Sequence, residues 1–562
     1  MKQRLTKNLS LAIIGTLATG MATSCVDDNY DLSDVDTTVR VQVNDLTVPV
    51  NIDEITLESI FDLKKDDHIE IIDGKYTVIY EGDYNSSPIN EKVIELRRPT
   101  IQSTHVTIGA VPGGNIVHYP VDVTPSTFSY NATNVTEDII SIDQVKGIVD
   151  MTVNIKLTGA KDCDFTLSDG VVQLPKGLVF VTVPGKYDAT TGHLELNDNI
   201  SFRNNLTFQL QATAIDFAKS GAVYDRTKHT VVFNGQIGLL SGDITVDAAK
   251  ATESVQLDID YTMNDVRLTS FSGEITHSVS GVHFDPVNLS SLPDVLRQKG
   301  TDIRLLDPQI YLDVLCPVSQ YGLSAQAGMR IQSLQDGKVV NSVEPSSLIV
   351  TGTDDPAGNY SFWLAPSDKN PIQTPGKYIE FKGLQDILAG NGLPDKLDIS
   401  ILDPSIPQQH VTDFPLGTSI GALSGKYKFY APIELMDGST IVYSDIEDGW
   451  NTEDVDKITV TKMTVKGVVN TTIPVALHIT GYPVDTKGQQ INNVQITGCD
   501  VPPYAKDYEL TLVVTGEFTH LDGIEFRAEA RAEGDAEALR PDMSIKLTKI
   551  RPTVTGYYDT TL

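Results

Sequence analysis

Val255-Gln256-Leu257-Asp258-Ile259-Asp260-Tyr261 alternates apolar and polar side chains without a break. In an extended chain successive side chains point to opposite faces, so this run sets one face against a core and the other in water. The same beat recurs on both sides of it. Upstream lie Val39-Arg40-Val41-Gln42-Val43, Leu46-Thr47-Val48-Pro49-Val50, Thr152-Val153-Asn154-Ile155-Lys156-Leu157 and Phe208-Gln209-Leu210-Gln211-Ala212. Downstream lie Glu509-Leu510-Thr511-Leu512-Val513-Val514 and Met543-Ser544-Ile545-Lys546-Leu547. Turn signals such as Asp73-Gly74, Pro112-Gly113-Gly114, Asp336-Gly337 and Asp437-Gly438 separate such runs. Helical spacing is confined to residues 57–63, 289–298 and 384–388. Many short strands with so few helices predict an all-β chain of tandem antiparallel, immunoglobulin-like sandwich domains.

Two stretches repeat. Leu292-Pro293-Asp294-Val295-Leu296 before Gly300 matches Leu384-Gln385-Asp386-Ile387-Leu388 before Gly392. Just downstream, residues 302–310 and 398–406 share six of nine identities, Asp307-Pro308 against Asp403-Pro404 among them. A short helix, a strand ending in Asp-Pro and a hairpin at Asp336-Gly337 or Asp437-Gly438 predict two related β-units in tandem. The expected organisation is a signal at 1–24, a tether at 25–38, an N-terminal β region at 39–125, a sandwich at 126–265, the repeated units at 266–440 and a C-terminal sandwich at 441–562. Within the last, an alternating strand, Asn470, Pro474 and a second alternating strand resemble envelope sandwiches of the LEA type. The final residues, Val554 to Leu562, are expected to pair into a sheet.

The amino terminus carries an address. Lys2, Arg4 and Lys7 precede an apolar stretch from Leu9 to Met21. That stretch is too short to cross a bilayer, which takes about 20 apolar residues. It ends in Ala22-Thr23-Ser24 before Cys25, an arrangement that resembles the lipobox of bacterial lipoproteins, although the usual leucine is replaced by Ala22. The resemblance implies cleavage before Cys25 and acylation of its thiol. Asp27, Asp28 and Asp31 head a run of five aspartates without a base up to Asp36. This resembles the acidic export signal behind the lipidated cysteine of surface-exposed Bacteroidota lipoproteins, and it also suits a solvated tether. The implied location is the outer membrane, lipid-anchored and facing outward.

Composition narrows the partners. The chain holds 43 Lys and Arg against 75 Asp and Glu. Without the signal, 40 bases face the same 75 acids. Such a body repels phosphate backbones, so no nucleic-acid partner is expected, and membrane contact should come through the acyl chains. Cys163, Cys316 and Cys499 are far apart and show no metal or disulfide spacing. No cofactor or metal is expected: the nearest histidines, His277 and His283, would sit about 20 Å apart on one strand. The string Gly417-Thr418-Ser419-Ile420-Gly421 matches a nucleophile elbow, but neither a buried strand before it nor a helix after it is expected. Catalysis is therefore not expected.

Two aromatic segments are candidates for ligand binding. Between Tyr443 and Asp456, six carboxylates, among them Asp445, Glu447 and Asp448, surround Trp450 in an expected loop. It suits a calcium site, a sugar platform, or a linker whose indole packs inward. Tyr360-Ser361-Phe362-Trp363 offers either a second platform at Trp363 or ordinary cross-strand core. The leading expectation is a non-enzymatic binding or scaffolding lipoprotein with a glycan or an envelope protein as partner. A second is a glycan-binding accessory lipoprotein resembling the SusE/SusF type, which requires both tryptophans to be exposed. A third is a glycosidase or other hydrolase built on a carboxylate pair in a cleft.

Overall fold

The structure, a computed structural model, describes residues 38–48, 55–61, 68–108, 116–133, 135–158, 163–247, 255–534 and 538–561. Cys25, Asp27, Asp28, Asp31 and the turn at Pro112-Gly113-Gly114 lie outside them. The described chain is all-β, as its alternation predicts, and its sheets are antiparallel except where Asn359–Ala365 runs parallel to Lys377–Glu380.

The run Val255–Met263 buries its apolar positions and exposes or half-exposes the polar ones between them. It pairs with one half of the long strand Ile139–Thr158, and Val266–Ser278 pairs with the other half. Asn264 fills the break between them. Its side-chain oxygen accepts from the amide of Asp150 at 2.8 Å, and its amide nitrogen donates to the Ile148 carbonyl at 3.1 Å. Asn205–Asp216 lines the opposite edge of Ile139–Thr158. Beyond Val266–Ser278 the same sheet continues through Lys396–Pro415 and Gln326–Gln335 to Lys338–Val343. It therefore passes through position 265, where a boundary was expected. A second sheet, organised on Asp164–Gln173 and Thr230–Asp247, shares a core with the first, in which Phe165, Phe233, Phe271 and Phe414 are almost wholly buried. Burying a side chain of this size contributes about 2–3 kcal/mol.

The C-terminal sandwich has two sheets. In one, Thr38–Thr47, Ser544–Thr561, Thr459–Thr471, Tyr508–Phe518 and Gln495–Thr497 lie side by side. In the other, Thr440–Asp448, Leu521–Arg531, Ala476–Asp485 and Cys499–Val501 do so. The chain crosses between sheets at Thr472-Ile473-Pro474, a proline removing a ladder donor where a strand must end. Strands from residues 39–125 do not gather into a sheet of their own. Thr38–Thr47 joins the C-terminal sheet, Lys75–Asn85 pairs with Ser424–Pro432, and Thr104–Ile108 pairs with Val255–Met263. A single amphipathic strand cannot bury its apolar face alone, so each finds a sheet elsewhere.

Each expected helical stretch is about one turn long: Leu57–Phe61, Asp294–Arg297 and the 3-10 turn Lys382–Asp386. Phe217–Ser220 adds another, with Asp216 accepting from the Lys219 amide and Gly221 closing it at φ 71°. The two repeat copies pack on each other. The Leu393 amide donates to the Leu296 carbonyl at 2.9 Å, and the Gly392 amide to the Thr301 carbonyl at 2.7 Å. They differ in one respect: residues 398–406 lie inside a continuous strand, whereas 302–308 make only isolated bridges, to Thr440 and Leu435. Asp336-Gly337 closes a hairpin, but Asp437-Gly438 precedes a strand whose partner is Leu521–Arg531.

Candidate functional site

Trp363 and Trp450 are each 3% exposed, which removes both expected sugar platforms. Trp363 points to the outer face of its sheet, yet that face is covered. Tyr311 lies parallel to it at 6.4 Å between centroids and Tyr378 tilts against it at 5.4 Å. Residues 370–373 close over the group. The Ile372 amide donates to Gln309 Oε1 and the Tyr311 hydroxyl oxygen, the Gln373 amide to that same oxygen, and Gln309 Nε2 donates to the Asn370 carbonyl. Trp450 opens a 3-10 turn and sinks into the core of the C-terminal sandwich. The expected loop around it is largely strand: Asp445, Glu447 and Asp448 lie on Thr440–Asp448, with Asp445 and Asp448 exposed. Among the described residues they do not join a third donor at metal-binding distance.

The elbow string also resolves. Phe414 is buried in a true strand, contrary to expectation, but the chain after Ser419 enters the strand Ser424–Pro432, not a helix. Ser419–Gly421 pairs with Ile89–Asn90. This pairing sets the backbone of the next residue, Glu91, whose amide donates to the Thr418 carbonyl and whose carbonyl accepts from Gly417.

Glu91 is the unusual residue of the molecule. It is 4% exposed, and neither carboxylate oxygen has a hydrogen-bond partner. Asp138, just before Ile139–Thr158, and His277, near the end of Val266–Ser278, complete a trio whose donor atoms all lie within 4.8 Å of one another. His277 Nδ1 is 3.0 Å from Asp138 Oδ2, which also accepts from the Thr136 hydroxyl at 3.1 Å. Burial pushes the Glu91 carboxyl up to about 7, Asp138 adding to the shift and His277 opposing it. The Asp138 hydrogen bond raises His277 above its ordinary value against the effect of burial. His283 is not on this strand; it bridges Asn85 instead.

Two polar clefts stand out among the described residues. One, of about 680 Å³, is lined by Thr127, Ser129, Gln173, Asn234 and Gln236, with Phe128 in its floor. Asn234 and Gln236 are exposed and spend no side-chain hydrogen bond within the described residues. The other, of about 610 Å³, borders the lid over Trp363 and holds Asp307, Lys75 and Glu434. Lys75 pairs with Glu434 at 2.9 Å. Burial lifts Asp307 to about 6, the bond from Gln309 opposing it and Glu434 adding to it.

Glu91 and Asp138 were not legible as a site because no short spacing links them, and Asn234 and Gln236, two apart on Thr230–Asp247, read as the ordinary polar face of a strand. A carboxylate two residues after the inward Ile89, at a position that alternation also turns inward, was the signal available. No protein-family model matches the chain, and no curated protein matches it. A search of solved structures returns a protein of Parabacteroides distasonis ATCC 8503, provisionally described as secreted. It overlays 91% of this chain and 100% of its own at 12% identity, with a TM-score of 0.41, too loose an overlay to carry an assignment.

Proposed function

We propose that the chain is a lipid-anchored envelope protein, held in the outer membrane by acylated Cys25, whose outward-facing body binds or scaffolds a neighbour and catalyses nothing. The observation that carries this is Cys25 directly after a short apolar segment ending in small residues. Geometry supports it. The first described strand begins at Thr38, so the intervening chain reaches at most about 45 Å when extended. The body would hang close to its membrane.

For the partner, the hydrogen-bonding cleft at Asn234 and Gln236, whose one charged lining residue is Lys176, suits a polar chain, either a saccharide or an extended peptide. The aromatic-platform version of glycan binding has lost its support, since both indoles are covered. Mass spectrometry of the mature amino terminus should find a diacylglyceryl cysteine, and proteinase K on intact cells should digest the body. An unmodified residue at the start of the mature chain, or a fully protected body, would sink the proposal.

A hydrolytic reading is favoured by one observation, the cleft at Asp307. A carboxyl held up to about 6 by burial, in one cleft with Glu434 and its partner Lys75, resembles a carboxylate pair set apart by environment. Turnover of chromogenic glycosides that disappears in both Asp307→Asn and Glu434→Gln would establish it; no turnover in the unmodified protein would dismiss it.

A further inference from the structure

The protein carries several histidine–aspartate pairs, and only one of them is built like a receptor. His105–Asp258, His118–Asp243, His410–Asp143 and His478–Asp500 each have at least one side chain more than half exposed. At His277–Asp138 the side chains are 19% and 25% exposed. Here alone, among the described residues, a third donor converges, the Glu91 carboxylate. That carboxylate is buried with both oxygens unpartnered, an arrangement that costs several kcal/mol unless a cation or donor meets it.

We infer that Glu91, Asp138 and His277 together bind one divalent first-row transition-metal ion, of which Zn²⁺ is the representative. Two carboxylates and a neutral imidazole match its charge. The imidazole selects against Mg²⁺ and Ca²⁺, which take oxygen donors, and the lack of a thiolate selects against Cu⁺. With bonds of about 2.1 Å, donors set tetrahedrally on one ion lie about 3.4 Å apart, so a pair at the 4.8 Å limit must close by about 1.4 Å. The donors stand on supported backbone. Glu91 is fixed by Gly417 and Thr418, Asp138 by its carbonyl accepting from the Thr276 amide at 2.8 Å, and His277 by its strand. The Thr136 hydroxyl supplies the outer-shell bond that orients a ligating carboxylate. Three protein donors leave the ion's remaining positions to water. An ion there ties three remote segments into one corner of the fold.

The test uses the full chain in detergent, stripped with a chelator and titrated with Zn²⁺ by calorimetry. One equivalent should bind with a micromolar or tighter dissociation constant, and the metal should raise the melting temperature. Glu91→Gln and His277→Ala should each weaken binding by about 100-fold or more, whereas His410→Ala, at an exposed pair, should leave it unchanged. Glu91→Gln removes a buried charge at constant shape and should fold; should it not, the visible spectrum of the Co²⁺-loaded unmodified protein decides. Tetrahedral or five-coordinate bands support the site, and the spectrum of hexaaqua cobalt overturns it. Equal affinity in the unmodified, Glu91→Gln and His277→Ala proteins also overturns it.

Discussion

At Trp363, a ring on the outer face of a sheet is made into core by a lid of a few residues. Trp363→Ala should cost about 3–5 kcal/mol, as large aromatic deletions in packed sites do. Urea denaturation reads this directly, and a loss under about 1 kcal/mol would mean the lid does not seal. Asp307 makes a pH-dependent contribution. Its folded value, about 6, lies above the ordinary carboxyl value, so the native state holds the proton more tightly than the unfolded chain. Its favourable contribution is complete below about pH 4 and drains away as pH rises through about 6. Asp307→Asn, which still accepts from Gln309, should melt above the unmodified protein at pH 8 and level with it at pH 4. Equal differences at both pH values would exclude this origin. Inward packing was one of the readings open for both aromatic segments, and both rings are core. What the sequence could not show is the covering partner, since Tyr311 lies 52 positions upstream of Trp363.

Among elements, alternation was the reliable signal. The strands 139–158, 205–216 and 255–263 alternate in burial as their side chains do. Period-two patterning reports which face is buried but is silent on which neighbour covers it. Hence 302–308, whose sequence matches a true strand at 398–406, is bent and bridged instead. Asn264 marks the other blind spot, a side chain standing in for ladder bonds at a break. Asn264→Ala should leave the Asp150 amide and the Ile148 carbonyl to water, costing about 0.5–1.5 kcal/mol. Hydrogen exchange should quicken at Asp150 first; unchanged exchange there would contradict the assigned role.

Over the whole molecule, the fold class was written locally while the assembly was not. Residues 39–125 were expected as one N-terminal β region, yet their strands go to five different sheets. The metal trio was illegible for the same reason, its donors being separated by 47 and 139 positions of intervening chain. Such long-range closure makes the C-terminal sandwich depend on its last strand, which lies between Thr38–Thr47 and Thr459–Thr471. A chain truncated after Met543 should lose protease resistance in 459–531 while keeping it in 139–278. Uniform resistance would show that the last strand is dispensable.

That first and last strands are neighbours has a consequence in time. A ribosome releases Thr38–Thr47 more than five hundred residues before Ser544–Thr561 exists. Until then an amphipathic ribbon with exposed edges waits unpaired, so nascent chains need a guardian, and a molecule interrupted near its end leaves its opening strand open to a stranger.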